Sequence, residues 1–209
     1  MDLVALDLEG SGAQDRDAEA ILEIAVVPIR PIRDLRPDPA AAYHTLINPG
    51  RTIPRRPWIS PGLTNAALRD APPLAAVEPE LARRINGRYL VGHNVGVDWR
   101  LLHRRCPTLT PAGLIDTLRI ARRLSHAGTN SLTALVAGYY LTGEVDRAAS
   151  SSTPHRALWD TIAAATLLAA LLREALGRPP TPDDTLAFVE PLGSRPAGAE
   201  VASQPGLFD

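Results

Sequence analysis

The stretch Leu3-Val4-Ala5-Leu6-Asp7-Leu8-Glu9-Gly10-Ser11-Gly12 decides how this chain is read. Its apolar run predicts a β-strand over residues 2–8. Successive side chains of a strand leave opposite faces, so Asp7 and Glu9 project together. The strand ends beside them, where Gly10-Ser11-Gly12 begins a loop. Two carboxylates held that close repel each other, and cations relieve the repulsion. Oxygen ligands with room for water favour Mg²⁺ or Mn²⁺. An isolated Asp-x-Glu at a strand end is more often two solvated acids, so the rest of the chain must decide.

Outward from that strand, residues 20–29 form a nearly continuous apolar run with Glu23 inside it and predict a second strand. A third, over residues 41–47, ends at the turn signal Asn48-Pro49-Gly50. Short connections among the three predict an antiparallel meander. Helical patterns then alternate with short strands: a helix over residues 75–85, a strand over 89–91, a helix from Asp98, a strand near 114–115, and helices from Asp116, Ser131 and His155. This order predicts an α/β fold, a mixed five-stranded sheet flanked by helices. Past Gly177, Pro, Gly, Ala and acidic residues follow without periodicity, which predicts a folded domain over 1–177 and a flexible tail over 178–209.

A chain of 209 residues can bury a full core. Its net charge of −1 excludes a global basic field, so attraction to nucleic acid has to be local. Cys106 is the one cysteine, which excludes an internal disulfide and suits a reducing cytoplasm. No apolar run reaches membrane length, because Arg173 and Glu174 interrupt the closest candidate. Zinc spacing, a phosphate-cradling glycine loop and a serine-triad motif are all missing from the sequence.

Two further motifs complete the pattern: His93-Asn94-Val95-Gly96-Val97-Asp98 after an apolar run, and His155-Arg156-Ala157-Leu158-Trp159-Asp160 opening an Ala/Leu-rich segment. With Asp7-Leu8-Glu9 they resemble the DEDDh (DnaQ-like) 3′–5′ exonucleases, the family of the epsilon proofreading subunit of bacterial DNA polymerase III, RNase T and oligoribonuclease. The resemblance covers residues 2–176, and Ile21-Leu22-Glu23-Ile24-Ala25-Val26-Val27, Ile47-Asn48-Pro49-Gly50 and Asp116-Thr117-Leu118-Arg119 join it. It implies the ribonuclease H-like fold and release of nucleoside monophosphates from 3′ ends of DNA, in proofreading or repair, or of RNA in the RNase T or oligoribonuclease manner; the rival of another class is a non-catalytic nucleic-acid-binding or clamp-tethered module.

The resemblance also implies roles. Asp7, Glu9, Asp98 and Asp160 would hold two divalent ions, Mg²⁺ or Mn²⁺, about 3.5–4 Å apart. Asp98 would be the peripheral ligand, and as a residue before Trp99-Arg100-Leu101-Leu102 it could also cap a helix. His155 would be the general base, since an imidazole titrates near neutrality. Thr153-Pro154 reads as a cap and first helical turn, yet five helical residues rotate about 140°, which would separate His155 from Asp160. Convergence requires His155 on a non-helical turn. Gly10, Ser11, Leu63, His93 and Asn94 would lie near the terminal nucleotide, with His93 anchoring its turn. Gly10-Ser11, Val97 and Pro61 depart from the family's usual Thr, aromatic and His, and bear on substrate preference. Asp116 reads as a helix cap, and His44, His103 and His126 as surface or packing residues. The Arg pairs 55-56, 83-84, 104-105 and 122-123 read as solvated helix faces or as phosphate contacts, the former being the commoner case. Gln204-Pro205-Gly206-Leu207-Phe208-Asp209 resembles the peptide that docks on the bacterial β sliding clamp, with Gln204, Leu207 and Phe208 as anchors.

Overall fold

The computed structural model describes residues 2–30, 35–124 and 129–193. The first strand, β1 (Leu3–Gly10), lies inside the sheet and is covered on both faces. Its even residues Val4, Leu6 and Leu8 pack with Val77, Leu81 and Ile85 of α2 (Leu74–Ile85) and with Trp99 and Leu102 of α3 (Val95–Arg105). Its odd residues Leu3 and Ala5 pack with Leu168 and Leu172 of α7 (Ala157–Leu176), Ile120 of α4 (Thr117–Arg123) and Leu135 of α5 (Leu132–Gly138). Asp7 and Glu9 continue the odd series, so they leave the sheet on the α7 face. Each fully buried Val or Leu contributes on the order of 2 kcal/mol. The core can therefore hold the strand in place against the repulsion at its end.

Among the described residues the sheet has seven strands rather than five. Along it run β3 (Arg36–Pro37), β2 (Ile21–Arg30), β1, β5 (Tyr89–Gly92), β6 (Gly113–Asp116) and β7 (Val189–Glu190), while β4 (Tyr43–Leu46) pairs with the other half of β2. The meander β1-β2-β4 is antiparallel, as expected, and β1-β5-β6 is parallel. The two extra strands are two residues long, too short for any periodicity to reveal them. β7 also corrects the tail boundary. A 3-10 helix over Pro182–Phe188 buries Thr185, Arg178 pairs with Asp184 at 2.6 Å, and β7 pairs antiparallel with β6. The packed chain thus runs to Glu190. Residues 194–209, including Gln204, Leu207 and Phe208, lie outside the described residues, as does His126.

Three helix starts position the acids. α3 begins at Val95, with Asn94 at its cap position in a left-handed conformation (φ 66°), so Asp98 sits within the first turn and is not a cap. Gly92 makes this possible: a Cβ there would stand 2.9 Å from the Leu6 carbonyl, where β5 turns into α3 beside β1. α4 starts at Thr117, and Asp116 caps it by accepting from the Leu118 N–H at 3.0 Å. α7 starts at Ala157, which overturns the Thr153-Pro154 cap. The short helices α1 (Asn65–Leu68) and α6 (Thr142–Ala148) complete the set. Among the described residues no helix is long and apolar enough to cross a membrane.

Candidate active site

Because α7 packs on the odd face of β1, its first turn comes to rest over the strand's C-terminal end. A carboxylate oxygen from each of Asp7, Glu9 and Asp160 lies within 4.8 Å of the other two. Asp98 approaches from α3 and stands beside this trio. Burial, followed by the charges of Asp98, Asp160 and Glu9, pushes the Asp7 carboxyl well above the usual carboxylate range. Burial and the charges of Glu9 and Asp116 do the same to Asp98. Burial lifts Glu9 to about 7 despite a 2.5 Å hydrogen bond from the Ser60 hydroxyl, and lifts Asp160 to about 6. Four acids whose affinity for protons is raised by burial and by one another make an oxygen-only donor set that fits a hard divalent cation.

One more carboxylate shares this face. In the antiparallel register Glu9 lies opposite Glu23, and Glu23 is completely buried. It is satisfied from three directions. Arg156 donates Nε at 2.7 Å and Nη2 at 2.8 Å, His44 Nε2 lies at 2.6 Å, and the Ala157 N–H at the start of α7 donates at 3.3 Å. Burial pushes Glu23 up, but the hydrogen bonds from His44 and Arg156 outweigh it and hold the carboxyl at about 2. The result is an ion pair that fastens the entry of α7 to β2. Arg156 hydrogen-bonds to Glu23 and only tempers Glu9 through its charge, so the four other acids keep most of their repulsion.

This fastening places His155. The residue is exposed and left-handed (φ 64°), just outside the helix, and its N–H donates to Asp160 Oδ1 at 3.2 Å. The non-helical turn that convergence requires is therefore present.

The remaining expected contacts divide. Gly10 lies where the β1-β2 register slips, and Ser11 is buried with its hydroxyl accepting from the Ala20 N–H at 2.9 Å. His93 uses both ring nitrogens within the protein, on Thr117 Oγ1 (3.0 Å) and the Asn130 carbonyl (2.9 Å), and so anchors its turn. Asn94 gives its N–H to Asp116 while its side-chain oxygen is buried without a hydrogen-bond partner. Leu63 is buried beneath a groove of about 440 Å³ lined also by Arg55, Arg56 and Ser60. Three functional residues escaped the sequence reading. Glu23 had a signal, a lone charge in an apolar strand. Arg156 lay inside a quoted motif, and Ser60 had none. His44 is corrected from a packing residue to a partner of Glu23.

Two outcomes are expected from this arrangement. Arg156→Met strands a buried Glu23 charge, so urea unfolding should show a loss of about 3 kcal/mol, and Glu23→Gln added to it should recover part of the loss. The second concerns pH. Glu9 and Asp160 hold protons in the folded chain up to about 7 and 6, whereas unfolded carboxyls release them near 4. Protons then bind the folded state more, so chelator-treated protein should lose stability as pH rises from 5 to 8. Glu23 acts in the opposite sense only between about 4.5 and 2, below that window. Thermal melts of Asp160→Asn should show a flatter pH slope and a higher melting temperature than the parent at pH 8. An unchanged slope would contradict the acid cluster.

Comparison with known proteins bears on the family and the fold. The family model described as Exonuclease matches residues 4–168. The epsilon subunit of Escherichia coli DNA polymerase III is 33% identical over 126 residues, 56% of this chain and 49% of that one. A PolC-type DNA polymerase III of Thermotoga maritima is 32% identical over 139 residues, 64% of this chain and 10% of that one. The chain thus spans from a tenth to about half the length of these relatives. Among solved structures, Exonuclease X in complex with 5′ overhanging duplex DNA superposes with a TM-score of 0.57 at 26% identity, covering 88% of this chain and 99% of that one. The nuclease domain of 3′hExo, a DEDDh family member bound to rAMP, shares the fold at a TM-score of 0.57, with 13% identity over 83% of this chain and 92% of that one. The chain belongs to the exonuclease family, as a DnaQ-like 3′–5′ exonuclease domain.

Proposed function

We propose that the chain removes nucleoside monophosphates from 3′ ends of DNA with the help of divalent cations. One observation carries this reading: three carboxylates converge within 4.8 Å, a fourth stands beside them, and His155 is pinned to one of the three. Asp7, Glu9 and Asp160 would hold Mg²⁺ or Mn²⁺, with Asp98 at the margin. A divalent ion bound there supplies Lewis acidity and a water of lowered pKa. The protein's own part is positional. Ser60 and the β1 core fix Glu9, and the Glu23–Arg156 pair fixes the turn that carries His155. His155 accepts the proton of the attacking water, the water oxygen joins phosphorus, and the bond from phosphorus to the 3′ oxygen breaks. DNA is favoured over RNA by the likeness to Exonuclease X, solved with duplex DNA, and to polymerase III subunits.

Degradation of a 5′-labelled DNA strand should need Mg²⁺ or Mn²⁺ and proceed from the 3′ end, with an equal RNA strand degraded more slowly. Asp7→Ala should abolish it, and His155→Ala should lower kcat about a hundredfold or more with little change in strand binding. Degradation by Asp7→Ala at parental rate in saturating Mn²⁺ would sink this reading. A partner contact rests on the sequence of residues 204–209 alone: calorimetry should show a peptide of that sequence binding a bacterial β clamp at micromolar strength, and a Leu207→Ala/Phe208→Ala peptide not binding.

A further inference from the structure

Among the described residues the exposed large apolar side chains are Trp58, Tyr140 and Leu186. Trp58 alone of these stands on a segment that touches the acid cluster. It is 46% exposed, yet it is held: its Nε1 donates to the Ser11 carbonyl at 3.1 Å. The indole edge lies against Gly12, whose φ is +103° and whose place no side chain could take without colliding with Trp58 Nε1. The Arg56 guanidinium sits 5.6 Å from the ring centroid, and Arg55 and Arg56 line the groove over Leu63. Two residues further on, Ser60 binds Glu9. A tryptophan that served packing alone would bury its ring; here the edge is fixed and much of the side chain faces solvent.

We infer that Trp58 is a stacking platform for an unpaired base of the substrate strand, with the neighbouring guanidiniums on its phosphates. The inference rests on the exonuclease reading and names the form of substrate it accepts: a single-stranded or frayed 3′ segment. Two residues of extended chain span at most about 7 Å, and successive bases of a stacked strand rise about 3.4 Å along its axis. Through Ser60 the indole stands near Glu9, and a strand cut at the acids can lay one of its last few bases on the ring. Base-on-aromatic stacking tolerates any base, because every base has a π face, and an adjacent Arg adds a cation–π contribution. A ring already immobilised loses little freedom when a base settles on it.

Fluorescence tests this directly, since Trp99 and Trp159 are 4% and 2% exposed and the emission that a ligand can quench belongs to Trp58. The full chain is titrated in Ca²⁺ with a single-stranded thymidine 12-mer and, separately, its uridine counterpart. The parent should be quenched on binding. Trp58→Phe keeps an aromatic face, so it should bind within about threefold of the parent without the quench. Trp58→Leu should bind about tenfold more weakly. An abasic residue placed in turn at each of the last three positions should weaken the parent at one of them and leave Trp58→Leu indifferent there. Binding without quench, or equal affinity of the Leu and Phe variants, overturns the platform while leaving the exonuclease reading intact. Quenching without any metal-dependent degradation overturns the exonuclease reading alone, and no binding of either strand overturns both.

Discussion

The antiparallel register that sets Glu9 opposite Glu23 is the constraint on which the site depends. It places the side chains of Asp7, Glu9 and Glu23 on one face of two adjacent strands, and α7 is packed across that face. Five carboxylates gather where the sheet ends, counting Asp98 and Asp160. Their differing environments then separate them. Glu23 receives a bidentate guanidinium, an imidazole and a helix-start N–H, and its charge is kept inside the protein. The other four receive mainly burial and one another, and their affinity for protons rises. A guanidinium bound to Glu9 or Asp160 would have neutralised the cluster and closed it to metal. Placing that cation one strand away keeps the chain folded and the site electrostatically unsatisfied.

The same pair governs the helix that carries the last acid. A regular helix from Pro154 would point His155 and Asp160 in different directions. Instead the chain bends at His155, whose left-handed backbone costs on the order of 1–3 kcal/mol for such a residue. Arg156 offsets this by locking onto Glu23, while its carbonyl accepts the Asp160 N–H at 3.0 Å and the His155 N–H turns to the Asp160 carboxylate. Strain, ion pair and the meeting of His155 with Asp160 are thus three descriptions of one short turn.

Much of this was legible in the chain. The apolar run Leu3–Leu6 gave the strand, the two-residue period gave the shared face of its two acids, and the helix cap at Asp116 followed from residue type. The tertiary requirement that His155 leave the helix came from its five-residue spacing to Asp160. What the chain hid is what register and distance decide. Glu23 was conspicuous as a charge in an apolar strand, but only pairing with β1 shows that it neighbours Glu9. His44 has no local pattern and meets Glu23 because β4 lies against β2. Asp98 resembled a cap until Gly92 let β5 turn early into α3. β7 falls in a Pro-rich segment whose two paired residues owe their place to β6, not to any propensity of their own.

The segment over residues 53–66 completes the site, because it touches the acids through one hydroxyl and solvent through one indole. At Pro61 and at Gly10-Ser11 the chain departs from the family's usual residues, and here the Ser11 hydroxyl is spent on Ala20 while its carbonyl holds Trp58. The backbone at Ser11 thereby supports the exposed aromatic of the neighbouring loop. The acids fix where a phosphodiester can be cut, since no other part of the described chain gathers such a donor set. The fixed indole nearby, set between a glycine that admits no side chain and an arginine, then fixes which strands present that bond well. Chemistry and selectivity are carried by different elements, the sheet end for the first and this loop for the second. Substitutions in the loop can therefore change the preferred strand without disturbing the carboxylates.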